Sequence, residues 1–461
     1  MTVPKKIHLN AFEMNCVGHI VHGLWRHPDN NRHRYTDIRY WTELAELLER
    51  GKFDALFLAD VVGVYDVYKQ GAETAIREAV QVPCNDPLLV VPPMALVTKH
   101  LAFAVTFSTT YEKPFAHARR MSTLDHLTQG RIAWNVVTSY LPSAARNFGL
   151  EQMIAHDERY EIAEEYLDVC YKLWEGSWED DAVIRDVERG IYTDPGKVHL
   201  IRHEGRYFNV PGPHLSEPSV QRTPVIYQAG SSARGRAFAA KHAEAVFLGG
   251  GSIPALKRYA DDIRAQAAAN GRDPAHIKLM TGLLAIVGRT REEAQEKLER
   301  FQSLYSLEGV LAHYGGGSGY DLSAYAPDDV LTYAETNHGQ TAAAQFTKES
   351  PRPQTVREVK ETLGTLGGRG LFVVGTPEEV ADRIQYWVEE TGIDGFNVIQ
   401  ILSPDTLRDF IELVVPELQR RGMFREDYEE TTLRERLLGS EIRRLPAGHP
   451  GAAYRKQTTL T

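Results

Sequence analysis

The residues of this chain whose types and spacing could do chemistry fall into three groups. The first is "YQAGSSARGR", residues 227–236, where Gly230, Ser231 and Ser232 precede Arg234, Gly235 and Arg236. Small residues there would let backbone N–H groups approach an anion, and the start of a following helix "AFAAKHAEA" would add a partial positive charge. Hydroxyls and guanidinium groups would complete a phosphate cradle. The second group is "AHDERY", residues 155–160. On a helix, four residues advance roughly 400°, so His156 and Tyr160 stand about 40° apart, while Glu158, Glu161 and Glu165 point about 140° to 200° away from His156. The two rings therefore share a face with little acid on it. The third group consists of polar residues that close or interrupt apolar runs: Asp60, Thr106, Asn135 and Gln228.

Each group also has a purely structural account. A strand-end residue can satisfy local backbone, a Gly-Ser turn can simply join strand to helix, and a ring pair can pack on a sheet. Only convergence of the groups on one place would favour a site. Other signatures are missing from the sequence: GxxxxGK[ST], GxGxxG and GxSxG do not occur, and "GGGSGYD" 315–321 follows no apolar strand. His22 and His27 in "HGLWRHPD" lack a Cys or Glu pattern, so no metal is expected.

The elements that must position these residues show in the apolar periodicity. Eight short, mostly continuous apolar runs occur at 7–12, 54–60, 101–110, 131–139, 224–230, 244–249, 278–288 and 395–400. Continuous rather than alternating runs mark parallel strands covered on both faces. Amphipathic stretches such as "YWTELAELLERG" 40–51 separate most of them, ending on Gly as a helix should. The alternation predicts a (β/α)8 barrel over residues 1–440, with a doubly wound open sheet as its competitor. In a barrel the strands end at one mouth, which is where the third group would meet. Irregular insertions are expected near 61–100, 177–223 and 300–370, and 441–461 reads as a tail or an arm.

A net charge of −10 gives no basic stripe for nucleic acid or an anionic membrane surface, so a small-molecule partner is expected. An ordinary composition, 43% apolar and 25% charged, and no long apolar run read as a soluble cytoplasmic chain. Cys16, Cys84 and Cys170 offer neither a disulfide framework nor a CxxC knuckle and are expected reduced. Cys170 reads as a core residue; Cys84, in "PCND", could face a substrate pocket.

Several long motifs resemble the bacterial-luciferase-like flavin monooxygenases of the nitrilotriacetate, dibenzothiophene sulfone and dimethylsulfide monooxygenase group. They are "LADVVGVYDVY" 58–68, "STLDHLTQGR" 122–131, "RIAWNVVTS" 131–139, "AHDERYEIAEEYLDVCYKLWEGSWEDDAV" 155–183 and "EPSVQRTPVIYQAGSSARGR" 217–236. The resemblance runs from about residue 7 to 440 and implies a luciferase-like TIM barrel with insertions. It implies that Asp60, Thr106 and Asn135 lie beside a flavin ring, and that His156, Tyr160, Gly230 and Ser231 hold the phosphate and ribityl chain of FMN. It further implies a two-component system, in which a separate NAD(P)H-dependent reductase supplies FMNH2, O2 is co-substrate, and the protein is a homodimer or tetramer. The chain departs from the group at Cys84, where the group's motif reads PVNDP, at Pro92–Pro93, and in "FLGGGS" 247–252. These positions leave the substrate open. Three readings follow: oxygenation of a small nitrogen- or sulfur-containing compound, with C–N or C–S cleavage; a riboflavin lyase, splitting riboflavin to lumichrome; and a flavin-binding barrel without turnover.

Overall fold

The computed structural model describes residues 5–249, 252–367 and 370–455. Part of the "FLGGGS" run, part of "LGGRG" 366–370 and the last six residues lie outside them. All eight expected runs form strands: β1 (His8–Met14), β2 (Ala55–Ala59), β3 (Ala102–Ser108), β4 (Ile132–Val137), β5 (Val225–Ala229), β6 (Ala245–Leu248), β7 (Lys278–Val287) and, after a further strand β8 (Leu371–Gly375), β9 (Gly395–Ile399). Every pairing in this sheet is parallel. β6 pairs with β7 from Ala245↔Lys278, and β1 with β9 from His8↔Gly395, so β1–β7 and β9 close an eight-stranded barrel. β8 was not among the expected strands. It lies outside the ring, on the far half of β7, from Leu283↔Leu371 to Val287↔Gly375.

Both faces of these strands are buried, which is why they read as unbroken apolar runs. Leu9, Leu56, Leu58, Phe103, Val105, Trp134, Ile226 and Val246 pack outward under the helices. Phe12, Phe57, Ala104, Ala133, Tyr227, Ala245 and Met280 fill the lumen. Inward alanines leave room for the large rings, and Phe12 meets Phe57 and Phe247 edge to face at centroid distances of 5.3 and 4.9 Å. The helices that matter below are α1 (Ile38–Arg50), α2 (His156–Tyr171), α3 (Ala233–His242), α4 (Leu307–Ser318) and α5 (Pro377–Thr391). α5 begins with a capping box, Thr376 accepting the Glu379 N–H while Glu379 returns to the Thr376 N–H. No helix among the described residues is long and apolar enough to cross a membrane.

The N-terminal ends of the strands form a floor, sealed by a late segment of the chain. Arg434 pairs with Glu244 at 2.6 Å, both side chains fully buried, and donates to the Thr223 carbonyl at 2.9 Å. Arg436 donates to the carbonyls of Asp54 and His100 at 2.9 and 2.8 Å. Asp54 itself takes Arg425 at 2.7 Å, His8 at 3.1 Å and the Leu9 N–H at 2.8 Å.

At the other end, parts of the 61–100 and 300–370 segments pack together through Tyr65, Tyr68, Val80, Leu311, Tyr314 and Phe346. The first of them breaks into pieces at 68–70, 73–77, 87–90 and 91–97, with Pro87 and Pro92 in the first turns of the last two. The 177–223 segment carries two short antiparallel hairpins, and the Tyr207 and Phe208 N–H groups bind Glu165 on α2. Residues 445–455 differ from the expected tail: His449 is buried, Gly451 lies against Tyr171 of α2, and Arg455 pairs with Glu175 at 3.0 Å.

Candidate active site

α2 and α3 bring the first two groups of residues together. His156 opens α2, its ring oriented by Asp157, with Nδ1 2.7 Å from the carboxylate. Its ring and that of Tyr160 touch edge to face, centroids 5.3 Å apart, as the helical spacing requires. Tyr160 then crosses to α3: its ring packs on Phe238 at 5.6 Å, the Arg234 guanidinium lies 5.6 Å from its centroid, and its hydroxyl engages Ser232. Burial raises the Tyr160 pKa above that of a free phenol, so it stays a neutral hydrogen-bonding group.

The turn into α3 can approach this closely because it is glycine. A Cβ at Gly230 would stand 2.6 Å from Gln228 Nε2, and one at Gly235 would stand 2.9 Å from the Tyr160 hydroxyl oxygen. Ser232 caps α3 by accepting the Gly235 N–H at 3.1 Å. The Ser231 hydroxyl binds the Gly249 N–H at 2.9 Å, tying this turn to the end of β6. Arg236 is held by Asp262 and the Ser231 carbonyl, whereas Arg234 has Glu164 no nearer than 3.8 Å. What results is a helix N-terminus faced by a phenol, an imidazole and a guanidinium, a donor set suited to a phosphate.

Two of the strand-end residues meet at the adjoining mouth: Thr106 and Asn135 face the lumen like Ala104 and Ala133, whereas Gln228 faces outward like Ile226, under Gly230. Thr106 and Asn135 are register partners on β3 and β4, joined by a 2.9 Å hydrogen bond from Asn135 Nδ2. Asn135 Oδ1 and Gln228 Oε1 are buried acceptors without a hydrogen-bond partner among the described residues. Such atoms call for a ligand or ordered water. Asp60, just past β2, has its pKa pushed up to about 7 by burial and then by the neighbouring Asp86 carboxylate. Cys84 lies against it, Sγ 3.7 Å from Oδ1, so the thiol donates to the carboxylate.

Sequence reasoning missed a third cluster. Tyr140, after β4, donates to the Tyr65 hydroxyl at 2.7 Å; Tyr65 donates to Gln81 Oε1 at 2.8 Å, and Gln81 Nε2 to the His19 carbonyl at 3.0 Å. His22 and His313 are 2.8 Å apart through Nε2 and Nδ1, the His313 ring lies 4.9 Å from that of Tyr65, and His19 stands on Phe12 at 4.5 Å. "GGGSGYD", which had no assigned role, proves to be mostly the end of α4. A Cβ at Gly316 would lie 2.3 Å from the Tyr65 ring, so the glycine lets that ring rest on the helix. The only advance signal was the presence of His22 and of His313 beside the glycines.

The profile of the luciferase-like monooxygenases matches residues 20–395. The long-chain alkane monooxygenase of Geobacillus thermodenitrificans (strain NG80-2) is 64% identical over 452 residues, 98% of each chain. The dimethyl-sulfide monooxygenase of Hyphomicrobium sulfonivorans is 50% identical over 98% of this chain and 94% of its own. Among solved structures, a long-chain alkane monooxygenase superposes with a TM-score of 0.92, covering 99% of this chain and 100% of its own. A riboflavin lyase with modified FMN and riboflavin also superposes with a TM-score of 0.92, at 41% identity, covering 98% of this chain and 100% of its own.

Proposed function

The chain belongs to the luciferase-like monooxygenase family, and on that premise we propose that it binds FMN at the barrel mouth, its phosphate between the start of α2 and the turn into α3. The observation that carries this reading is the meeting of Tyr160 with the glycine turn over Gln228, whose Oε1 is an unpartnered buried acceptor among the described residues, with a second such acceptor, Asn135 Oδ1, on the lumen side of β4. A ring system carrying N–H donors, tethered to a phosphate, answers both halves of that arrangement.

When bound, reduced flavin supplies the electrons by which O2 delivers one oxygen atom to a substrate. The protein's own residues bind and shield. Arg234, Tyr160, His156 and the α3 N-terminus anchor the anion, while Asn135 and Thr106 orient the ring from the strand ends. Asp60, poised near neutrality, can hold or release a proton at Oδ. The insertions close over the mouth, and Tyr140, Tyr65 and Gln81 form a hydrogen-bonded line above it. Excluding water there protects the oxidising site from side reactions.

The substrate side is apolar: Phe12, Phe57 and Phe247 line the lumen, with Ile20, Val21 and Ala59 packed against it. This supports an uncharged hydrocarbon-like or sulfide substrate over a charged nitrogenous one, in keeping with the names of the alkane and dimethyl-sulfide relatives. The likeness to a riboflavin lyase keeps cleavage of riboflavin as the second reading. Reduced flavin would come from a separate reductase, since no dinucleotide fingerprint occurs in the sequence.

FMN titration of the parent and of His156→Ala and Tyr160→Phe tests the assignment. Each variant should bind about 5- to 100-fold more weakly, as expected for loss of a hydrogen bond to a charged group. If both bind FMN as the parent does, the phosphate site is elsewhere. Oxygen uptake with photoreduced FMN and n-alkanes, dimethyl sulfide or riboflavin then separates the substrate readings.

A further inference from the structure

Two of the three cysteines face each other at the mouth. Beyond β1 the chain runs on to Cys16, and the 61–100 segment returns beside it, so that Cys16 and Cys84 form an isolated antiparallel bridge. The Asn85 N–H donates to the Asn15 carbonyl at 2.8 Å, and Asn15 Nδ2 to the Asp86 carbonyl at 3.0 Å. The backbone hydrogen bond therefore belongs to the residues flanking the bridge, which makes Cys16 and Cys84 a non-hydrogen-bonded pair. In such a pair the Cα atoms stand about 4.5 Å apart and both side chains leave the same face. That lies within the roughly 4.4–6.8 Å Cα window that a disulfide accepts. Both thiols are free: Cys16 Sγ rests on the Gly18 carbonyl at 3.4 Å and Cys84 Sγ on Asp60 at 3.7 Å, contacts that each would give up to form a bond.

We propose that Cys16 and Cys84 are a peroxide-oxidised, reversible disulfide pair, a modification site that ties the 61–100 segment to the end of β1 and disarms the mouth. The chemistry balances with hydrogen peroxide as the oxidant. Cys84, the partly exposed member, attacks one peroxide oxygen; the O–O bond breaks, water leaves, and a sulfenic acid remains. The Cys16 sulfur then displaces a second water from that sulfenic acid and forms the S–S bond. Two thiols and one peroxide give one disulfide and two waters, and a dithiol reductant reverses the result.

Burial pushes the Cys16 thiol up to about 12, and burial together with Asp60 pushes Cys84 up as well, so both stay protonated and react slowly with dilute oxidant. Peroxide made at the mouth is the effective reagent. A monooxygenase that activates O2 with no substrate to receive the oxygen releases hydrogen peroxide where these thiols sit. The bond would take the Cys84 S–H away from Asp60 and fix the wall of the pocket, making turnover without substrate self-limiting. The third cysteine, Cys170, is buried under the barrel helices and takes no part.

The purified full chain, free of flavin, is treated with millimolar hydrogen peroxide, denatured, alkylated and digested with trypsin. The expected product joins the peptides 7–26 and 78–99, with a mass about 2 Da below their sum. Two of the three thiols should be lost, the chain should stay monomeric on a non-reducing denaturing gel, and dithiothreitol should restore both thiols. Omitting flavin keeps this outcome independent of the phosphate assignment. In turnover assays with photoreduced FMN and no substrate, the parent should lose activity that dithiothreitol recovers. Cys84→Val, compared with its own untreated activity, should show no recoverable loss. Oxidised but unlinked cysteines, or a cross-link between chains, would overturn the proposal.

Discussion

Two aspartates flank the five-residue strand β2 and experience opposite fates. Asp54 precedes it on the floor and Asp60 follows it at the mouth. Burial alone would raise the pKa of both. At Asp54 that effect is overcome by Arg425 and His8, and the carboxyl is held well below its usual range. At Asp60 a second carboxylate, Asp86, adds to the effect of burial, the Cys84 thiol and the Val61 N–H offset it only in part, and the pKa rises to about 7. The floor sets Asp54 and Glu244 against cations and hydrogen-bonds both to backbone N–H groups. The mouth leaves an acid without a cation and acceptors without donors. The difference separates the end built to stabilise the barrel from the end that carries the candidate site.

The sharpest break of this contrast is at the floor. Arg434→Met strips buried Glu244 of its ion-pair partner, and the loss should be about 3–5 kcal/mol, read from the urea unfolding midpoint. A loss under about 1 kcal/mol would mean that the floor is no more dependent on its ion pairs than an exposed surface is. At the mouth the sign reverses. Asp60 has a folded-state pKa raised from 3.8 to about 7, so ionisation opposes folding, and its cost to stability grows as pH rises from about 4 to about 7. Asp60→Asn should therefore match the parent near pH 4 and exceed it in stability at pH 8, while losing a limb near pH 7 from the pH profile of kcat/KM. Equal stabilities at both pH values would show that Asp60 is not the strained acid. The smallest effect is expected at Tyr140→Phe, which removes the outer link of the Tyr140–Tyr65–Gln81 line. A two- to tenfold fall in kcat/KM, about 0.5–1.5 kcal/mol, should come with unchanged FMN affinity.

Much of this architecture is legible in the sequence, because a strand buried on both faces leaves an unbroken apolar run whatever surrounds it. β8 has the same signature, "LFVVG", but lies next to a glycine-rich stretch and outside the ring, and periodicity says nothing about which strands close a barrel. The His156–Tyr160 pair was legible for a local reason, the 3.6-residue repeat. The Tyr65, Gln81, Tyr140, His22 and His313 cluster was not. Its members come from four separate segments, and no spacing relates side chains that meet only when insertions fold over a mouth. The packed course of residues 445–455 was hidden for a related reason: its Gly and Pro content imitates a loose end, while the tertiary contacts of His449 and Gly451 decide the outcome.

The position of the floor's cations along the chain bears on how the protein is made. Arg425, Arg434 and Arg436 emerge from the ribosome after every barrel strand. Until they arrive, Glu244 awaits its partner and Asp54 has only His8, so the nascent ring holds unmatched acids at its base. Final locking thus comes late in the order of the chain, and the newborn polypeptide passes through an interval in which the mouth of its barrel can assemble before the opposite end is secured.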